Sequence, residues 1–350
     1  MPAIGDALRK LNPWHKDAAP PPPPISPRTA VFLLVLYALV YFVPFYLSPA
    51  TRPSSTLSRD APSVIRARIR SVTLSCLLCT GVTYLVLTHP RPDDGHTITP
   101  REALHHLGLW PLALWDSLRV LFLTALLFTG PLFSYLVVER GWADWIRLAP
   151  LKEVWEEWTT WRNIVAGPIT EEVLFRTASI PLMLIAQSPL RHTIFLTPIV
   201  FGLAHVHHFY EFRLSNPQVP AARALARSLF QFAFTTVFGA YATFLFLRTG
   251  SLAAVCAVHA FCNCLGLPQV WGRVEPVPVL AGGDVGENGG GGRQQQQQRR
   301  RGVERASILW SMAYYFLLGA GAVMWYRSLW VLSESRNALV PGSAFGKGSS

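Results

Sequence analysis

Long uncharged apolar segments recur through this 350-residue chain and constrain its fold more than any other feature. Several approach the ~20 residues that an α-helix needs to cross a bilayer. Hydrophobic residues make up 51% of the sequence and charged residues only 15%, a balance typical of membrane proteins. We therefore predict an all-α fold, a polytopic membrane helix bundle with about eight transmembrane helices, at residues 29–48, 71–87, 120–138, 177–187, 193–205, 228–247, 249–268 and 306–326.

The composition between these segments divides the chain into six predicted parts. Pro20 to Pro24 cannot form a helix, because proline lacks the backbone donor. The Gly-, Gln- and Arg-rich stretch before the last span cannot bury a core and predicts a disordered loop. The parts are a proline-rich tail, 1–28; membrane helices with a tryptophan-rich interfacial segment, 29–162; a polar helical core, 163–268; the low-complexity loop, 269–305; a last membrane helix, 306–326; and a C-terminal tail, 327–350.

The net charge of +11 does not indicate nucleic-acid binding. The arginines lie mostly between the apolar runs, where basic loops orient membrane segments. Five of them occur in residues 49–70, which favours a cytosolic position for that loop. We expect the lipid bilayer as the surroundings of the chain and no nucleic acid as a partner.

Two adjacent carboxylates and an arginine, Glu171, Glu172 and Arg176, open one of the apolar segments. Ionisable groups within membrane segments are costly and indicate a functional site by default. On an α-helix Glu172 and Arg176 meet on one face, so we expect them to pair. Glu171 would then be free to act as a general base on water, although helical spacing alone does not exclude Glu172. A purely structural salt-bridge cluster explains the same three residues.

Two further polar pairs favour a functional site. Phe201 and His205 lie four residues apart in one apolar run, and His259 and Asn263 do so in another. Three membrane helices would thus each bring a carboxylate or a histidine into hydrocarbon, and each such group needs a polar partner. A single converging site meets that need.

The three motifs Glu171-Glu172-x-x-x-Arg176, Phe201-x-x-x-His205 and His259-x-x-x-Asn263 occur in this order on successive predicted helices. They resemble the motifs of the type II CAAX prenyl endopeptidases, the Ras-and-a-factor-converting enzymes. The local sequences GPITEEVLFR, FGLAHVHHFYE and HAFCNCLGLP are similar to those of the eukaryotic members. The resemblance covers about residues 163–269.

This resemblance implies a multi-pass protease of the endoplasmic reticulum membrane. Its partners would be prenylated CAAX proteins such as Ras-like GTPases, from which it removes the last three residues after the prenylated cysteine. By motif position, Glu171 and His205 would activate the attacking water, while His259 and Asn263 would stabilise the oxyanion. Glu172, Arg176 and Phe201 would be supporting residues. No metal and no other cofactor is implied.

Two other classes of protein remain open at this stage. A zinc protease is conceivable because His205, His207 and His208 cluster, but no HExxH motif occurs, and we interpret His207 and His208 as a solvated loop face. A transporter or scaffold with buried ionisable groups is the other alternative, against which the sequence shows no internal repeat. The phenylalanines from Phe230 to Phe246 are candidates to line a lipid-accessible cleft, or else to face lipid or the bundle.

Overall fold

The computed structural model describes residues 23–54, 57–90, 98–275 and 292–346. All regular secondary structure in these ranges is helical, which confirms the predicted all-α class. Four helices are long and apolar enough to cross a membrane: Pro27–Leu47, Pro62–Thr88, Ala221–Thr249 and Ser307–Leu332. A fifth span results if the pair Leu114–Leu127 and Thr129–Val138, bent by 81°, is counted as one. The predicted count of eight is not confirmed.

The α-helices in chain order are α1 (Pro27–Phe42), α2 (Pro44–Leu47), α3 (Pro62–Thr88), α4 (Pro100–His106), α5 (Leu114–Leu127), α6 (Thr129–Phe133), α7 (Trp142–Ile146), α8 (Ala149–Glu156), α9 (Trp158–Trp161), α10 (Gly167–Glu172), α11 (Ile180–Ile185), α12 (Leu190–Phe195), α13 (Thr197–Ala204), α14 (His207–Ser215), α15 (Ala221–Thr249), α16 (Leu252–Leu265) and α17 (Gly292–Leu332). Three π-helical segments, Ser134–Val138, Arg162–Ala166 and Val173–Ala178, and a 3-10 helix, Gly342–Phe345, complete the regular structure of the described residues.

The count of eight is not confirmed because three predicted spans are short or broken. Helix α11 has six residues, and the run at 193–205 is divided between α12 and α13, which have six and eight. Pro181 and Pro198 stand in the first turns of α11 and α13, where proline begins a helix but cannot continue one from before. Helix α16 has 14 residues and ends at Gly266, whose φ of 66° only glycine adopts readily.

The last helix differs from its predicted bounds at both ends. Helix α17 begins at Gly292, inside the predicted loop 269–305, and ends at Leu332, beyond the predicted end of the span. The structure thus has a helix where residues 292–305 of the loop were predicted, in keeping with the favourable helix propensities of glutamine and arginine. Residues 276–291 of that loop and residues 1–22 of the proline-rich tail lie outside the described residues.

The core consists mainly of two apolar clusters, and the segment that follows α10 lies between them. The first cluster joins α1, α3, the π-helical segment Val173–Ala178 and α13; its members include Leu34, Cys76, Leu174, Phe175 and Phe201. The second joins α5, α15 and α16 and includes Val120, Leu123, Leu245, Phe246, Val255 and Val258. The polar segment identified in the sequence is thus enclosed on both sides.

Two glycines allow α13 and α15 to pack closely. A Cβ on Gly202 would collide with the side chain of Thr236, and a Cβ on Gly239 would lie 2.9 Å from Cβ of Pro198. Small residues at a contact between membrane helices let the backbones approach. The close approach also brings the Gly239 carbonyl within reach of the side chains of the polar segment.

Candidate active site

The segment that carries the glutamates is not a uniform α-helix. Helix α10 is preceded by the π-helical segment Arg162–Ala166 and followed by Val173–Ala178. Such single-turn π-helical pieces occur frequently at functional sites. Gly167 is required at the first junction, because a Cβ there would lie 2.9 Å from the carbonyl oxygen of Arg162.

Glu172 and Arg176 form the ion pair that their spacing predicts. Nη1 of Arg176 donates to Oε1 of Glu172 over 3.1 Å, and the side chains are only 1% and 0% exposed. The guanidinium also donates from Nη2 to the Gly239 carbonyl oxygen over 3.1 Å. The ring of Phe201 lies 4.8 Å from Cζ of Arg176, a cation–π distance. Arg176 is therefore held by three different helical segments.

His259 is bound to the same carboxylate. Its Nδ1 lies 2.7 Å from Oε1 of Glu172 and donates to it, and the Phe238 ring packs against the imidazole with centroids 4.6 Å apart. This leaves Nε2 of His259 facing Glu171, at 3.9 Å from Oε2. Glu172 thus fixes the orientation of His259 as well as the position of Arg176.

His205 caps the C-terminal end of α13 and faces Glu171 with its other ring nitrogen. Its Nδ1 is 2.8 Å from the carbonyl oxygen of Phe201. A carbonyl only accepts hydrogen bonds, so Nδ1 carries the proton, and Nε2 of the neutral ring has a free lone pair. That Nε2 lies 3.9 Å from Oε2 of Glu171.

One oxygen of Glu171 is therefore equidistant from two histidine nitrogens. The separations of 3.9 Å exceed a direct hydrogen bond, and a water can bridge Glu171 to a histidine nitrogen over such a distance. The Glu171 side chain is 23% exposed, whereas Glu172 is fully buried. The two adjacent glutamates thus occupy different environments, and only Glu171 is accessible from the cavity.

Asn263 lies at the edge of the same site. Its Nδ2 donates to the backbone carbonyl oxygen of Asn163 over 2.9 Å, which fixes the orientation of the amide. A primary amide has two N–H groups, so one donor remains. Asn263 lines the cavity together with Glu171 and His205.

The cavity in front of Glu171 has a volume of about 390 Å³ and is bordered by the first two membrane-spanning segments. Its apolar wall comes from α1, α2 and α3, together with the site segment: Tyr41, Phe45, Ile65, Ile69, Val72 and Phe175. The phenylalanines from Phe230 to Phe246, which the sequence offers as candidates to line a lipid-accessible cleft, do not line this cavity. Phe230 is 58% exposed on the outside of α15, and Phe246 is fully buried in the bundle. The second interpretation of those phenylalanines is the one that agrees with the structure.

A second buried carboxylate, Glu211, binds residues that line the cavity and was missed by sequence reasoning. Its oxygens accept from Arg59 over 2.8 Å and from Arg68 over 2.7 Å, and Nδ1 of His208 lies 3.0 Å away. The arginines precede Glu211 by more than 140 positions, so no local spacing indicates the cluster. Burial disfavours the charge on Glu211, but His208 and the two arginines outweigh it and hold the pKa of that carboxyl well below its usual range.

The solvated loop face predicted for His207 and His208 is wrong. The His207 ring stacks on Phe42 with an interplanar angle of 3° and bonds to the carbonyl oxygen of Ala204. Burial lowers the pKa of His207 to about 4. Both histidines belong to α14, which packs against α15 and the end of α1 instead of forming an open loop.

His207, His208 and Glu211 offer ligand atoms within 4.8 Å of one another, the only such metal-type grouping in the described ranges. The residues around it do not suit a divalent cation, because each Glu211 oxygen already accepts from a guanidinium. A metal ion there would face two like charges at close range. We therefore do not assign this cluster as a metal site.

Comparison with known proteins relates the chain to one family. Residues 153–265 match the family model "Type II CAAX prenyl endopeptidase Rce1-like". The "Probable CAAX prenyl protease 2" of Schizosaccharomyces pombe is 36% identical over 238 residues, which cover 68% of this chain and 81% of that protein. The human "CAAX prenyl protease 2" is 33% identical over 293 residues, 79% of this chain and 86% of that protein.

A third relative is more similar over a shorter stretch. The Arabidopsis thaliana "CAAX prenyl protease 2" is 44% identical over 113 residues, 32% of this chain and 36% of that protein. No solved structure matches the chain significantly. The two longer alignments span most of both partners, and the chain therefore belongs to the type II CAAX prenyl endopeptidases.

Proposed function

We propose that this membrane protein hydrolyses the peptide bond after the prenylated cysteine of CAAX proteins and releases the C-terminal tripeptide. The observation that carries the mechanism is the placement of Oε2 of Glu171 at 3.9 Å from Nε2 of both His205 and His259. A water that bridges Oε2 of Glu171 and Nε2 of His205, which are too far apart for a direct hydrogen bond, is the proposed nucleophile.

Glu171 and His205 activate the water in this scheme. The Glu171 carboxylate takes up one water proton, and the Nε2 lone pair of His205 orients the water by accepting a hydrogen bond from the other O–H, which stays on the attacking oxygen. Because Nδ1 of His205 is committed to the Phe201 carbonyl, the lone pair is fixed at Nε2. The water oxygen attacks the scissile carbonyl carbon, which becomes tetrahedral. The proton on Glu171 then passes to the leaving nitrogen, and the C–N bond breaks.

His259 and Asn263 stabilise the negative oxygen of the tetrahedral intermediate. Nδ1–H of His259 is bound to the Glu172 carboxylate, and Nε2, which faces Glu171, donates to this oxygen when the ring carries both protons. Asn263 supplies the N–H that its bond to Asn163 leaves over. Both groups are held before the reaction begins, by a buried carboxylate and by a backbone carbonyl, so little reorganisation is needed as charge develops.

The cavity suits a lipid-modified substrate. Its apolar wall includes side chains from α1 and α3, two of the helices long enough to cross the bilayer. A prenyl chain partitions into lipid, at about 0.8 kcal/mol per buried methylene, and can enter between these helices. Prenylated proteins such as Ras-like GTPases are the proposed substrates, and the endoplasmic reticulum membrane is the proposed location.

The proposal is tested with the purified protein in lipid vesicles and a farnesylated CAAX peptide. We expect cleavage after the prenylated cysteine. Both Glu171→Gln and His205→Ala should lower kcat by roughly 10²- to 10⁴-fold, the usual contribution of a general base. The matched control is Glu156→Gln, an exposed carboxylate outside the cavity, which should cleave like the wild type.

Thermal unfolding of the same samples separates loss of chemistry from loss of fold. Undiminished cleavage by Glu171→Gln and His205→Ala would contradict the mechanism. Including a chelator in the assay addresses the zinc alternative, because an activity lost on chelation and restored only by zinc would also contradict it.

A further inference from the structure

We propose that three arginines of the cavity, Arg59, Arg68 and Arg162, bind the α-carboxylate of the substrate's C-terminal residue. We call these residues the arginine wall. The inference rests on the proposed function, because it assigns a subsite to the tripeptide that the reaction releases. It concerns residues outside the three sequence motifs.

The arginine wall belongs to the same cavity as the reacting groups. All three arginines line it together with Glu171 and His205. Their side chains are 31%, 12% and 23% exposed, so they are partly desolvated yet accessible from the cavity. A substrate whose scissile bond lies at Glu171 therefore places its nearby C-terminus within the space that these arginines border.

The arginine wall carries one uncompensated positive charge. Arg59 and Arg68 share the carboxylate of Glu211, and Asp60 accepts from Arg162 over 2.7 Å and lies 3.6 Å from Nε of Arg59. Three guanidinium groups thus face two carboxylates. The Glu171 carboxylate repels a second carboxylate, so a peptide terminus is repelled at the reacting end of the cavity and attracted to the wall. This polarity fixes the direction in which the peptide lies.

Each guanidinium also has hydrogen-bonding capacity to spare. Arg59 bonds through Nη1, Arg68 through Nε and Nη2, and Arg162 through Nε and Nη1. One terminal nitrogen of each has no hydrogen-bond partner within the described parts of the chain. The existing bonds, such as that from Arg68 to the Thr51 carbonyl oxygen at 2.9 Å, hold the groups in place. A carboxylate accepts well from such preorganised guanidinium groups.

The released tripeptide is short, since three extended residues span roughly 10–11 Å. Arg162 lies on the same helical segment as Glu171, nine positions before it, and lines the same cavity. The substrate's terminal carboxylate is thus confined to the cavity that the arginine wall borders.

The test compares one farnesylated CAAX peptide with its C-terminal amide, which has the same shape but no charge. The wild type should cleave the acid with a kcat/KM roughly 10- to 100-fold above that of the amide, mostly through KM, as expected for a charge-assisted hydrogen bond. Arg68→Gln and Arg162→Gln should each lower this ratio towards one. Because the ratio is measured within each variant, it does not depend on how much protein folds.

Arg70→Gln is the matched control, since Arg70 is an exposed residue of α3 that does not line the cavity. It should keep the wild-type ratio. Equal cleavage of acid and amide by the wild type would overturn the inference, and so would arginine variants that slow both peptides equally. The inference also fails if the variants keep the ratio but lose a rate increase on adding phosphatidylserine to phosphatidylcholine vesicles, because the wall would then bind lipid. Cleavage of neither peptide would overturn the proposed function itself.

Discussion

Two buried glutamates, Glu172 and Glu211, each bind arginine and histidine side chains, but the two clusters differ in their balance of charge. Glu172 binds Arg176 at 3.1 Å and His259 at 2.7 Å, and Glu211 binds two arginines and His208 at 2.7 to 3.0 Å. Both carboxylates are almost fully inaccessible. In the first cluster one arginine matches one carboxylate, whereas in the second two arginines share it.

The two clusters differ in net charge, and this difference separates a cluster that positions a side chain from one that can bind a ligand. Arg176 is compensated by Glu172 and donates to the Gly239 carbonyl, so the Glu172 cluster is closed and holds His259 next to Glu171. The Glu211 cluster keeps an excess cation at the cavity. A closed ion pair stabilises a geometry, and an unbalanced one remains available to a ligand of opposite charge.

The largest effect on stability is expected from Glu172→Leu, which leaves Arg176 charged and unpaired in the interior. Breaking a buried ion pair from one side costs about 3–5 kcal/mol of unfolding free energy. The double variant Glu172→Leu/Arg176→Met replaces both charges by apolar groups and should regain most of the loss. Thermal and denaturant unfolding in detergent measure both.

Peptide cleavage shows whether the double variant regains function as well as stability. His259 has lost its carboxylate partner in both proteins, so peptide cleavage should stay low even where stability returns. A double variant that is as stable and as active as the wild type would show that Glu172 does not orient His259.

A smaller loss of stability is expected from Glu211→Gln. The two arginines that it leaves without a counter-charge are 31% and 12% exposed, so water solvates them better than it would solvate Arg176, which is 1% exposed. We expect a decrease of about 1–3 kcal/mol in unfolding free energy. If Glu211→Gln lost as much unfolding free energy as Glu172→Leu, the proposed difference between the Glu211 and Glu172 clusters would be contradicted.

The smallest effect concerns the pH dependence of stability. The pKa of Glu211 is lowered in the folded protein, so its contribution is complete above the unfolded pKa of about 4.3 and is lost as pH falls towards the folded pKa. The difference in melting temperature between wild type and Glu211→Gln should be constant above about pH 5 and shrink below about pH 4. Glu156→Gln, an exposed carboxylate, should show no such change, and a difference independent of pH down to about 3 would contradict the assignment to Glu211 ionisation.

Some of the architecture could be predicted from periodicity and length alone. The apolar runs that became α1, α3, α15 and α17 were identified, because an uncharged run of about 20 residues has few alternatives to a membrane helix. The runs at 177–187 and 193–205 were over-interpreted. The run at 177–187 is mostly buried inside the bundle, whereas the run at 193–205 exposes Phe195, Leu196 and Leu203. Pro181 and Pro198 stand in the first turns of the short helices into which the two runs are divided.

The contacts of the site are of two kinds, those within one helix and those between helices. Contacts between residues four apart, such as Glu172 with Arg176, are fixed by helical geometry and were predictable. The contact of Glu172 with His259 joins residues 87 positions apart, and its distance depends on how α16 packs against the site segment. The arginine wall is the extreme case, because no motif relates Arg59 or Arg68 to Glu211.

The sequence by itself determined the membrane class, the three motifs and the Glu172–Arg176 pair, since these depend on composition and on spacing within one helix. Only the tertiary structure distinguished the accessible Glu171 from the buried Glu172, placed two histidine nitrogens at equal distances from one carboxylate oxygen, and gathered three distant arginines around one cavity. These features depend on how helices pack, and packing energies come from many side chains at once, so no single segment encodes them.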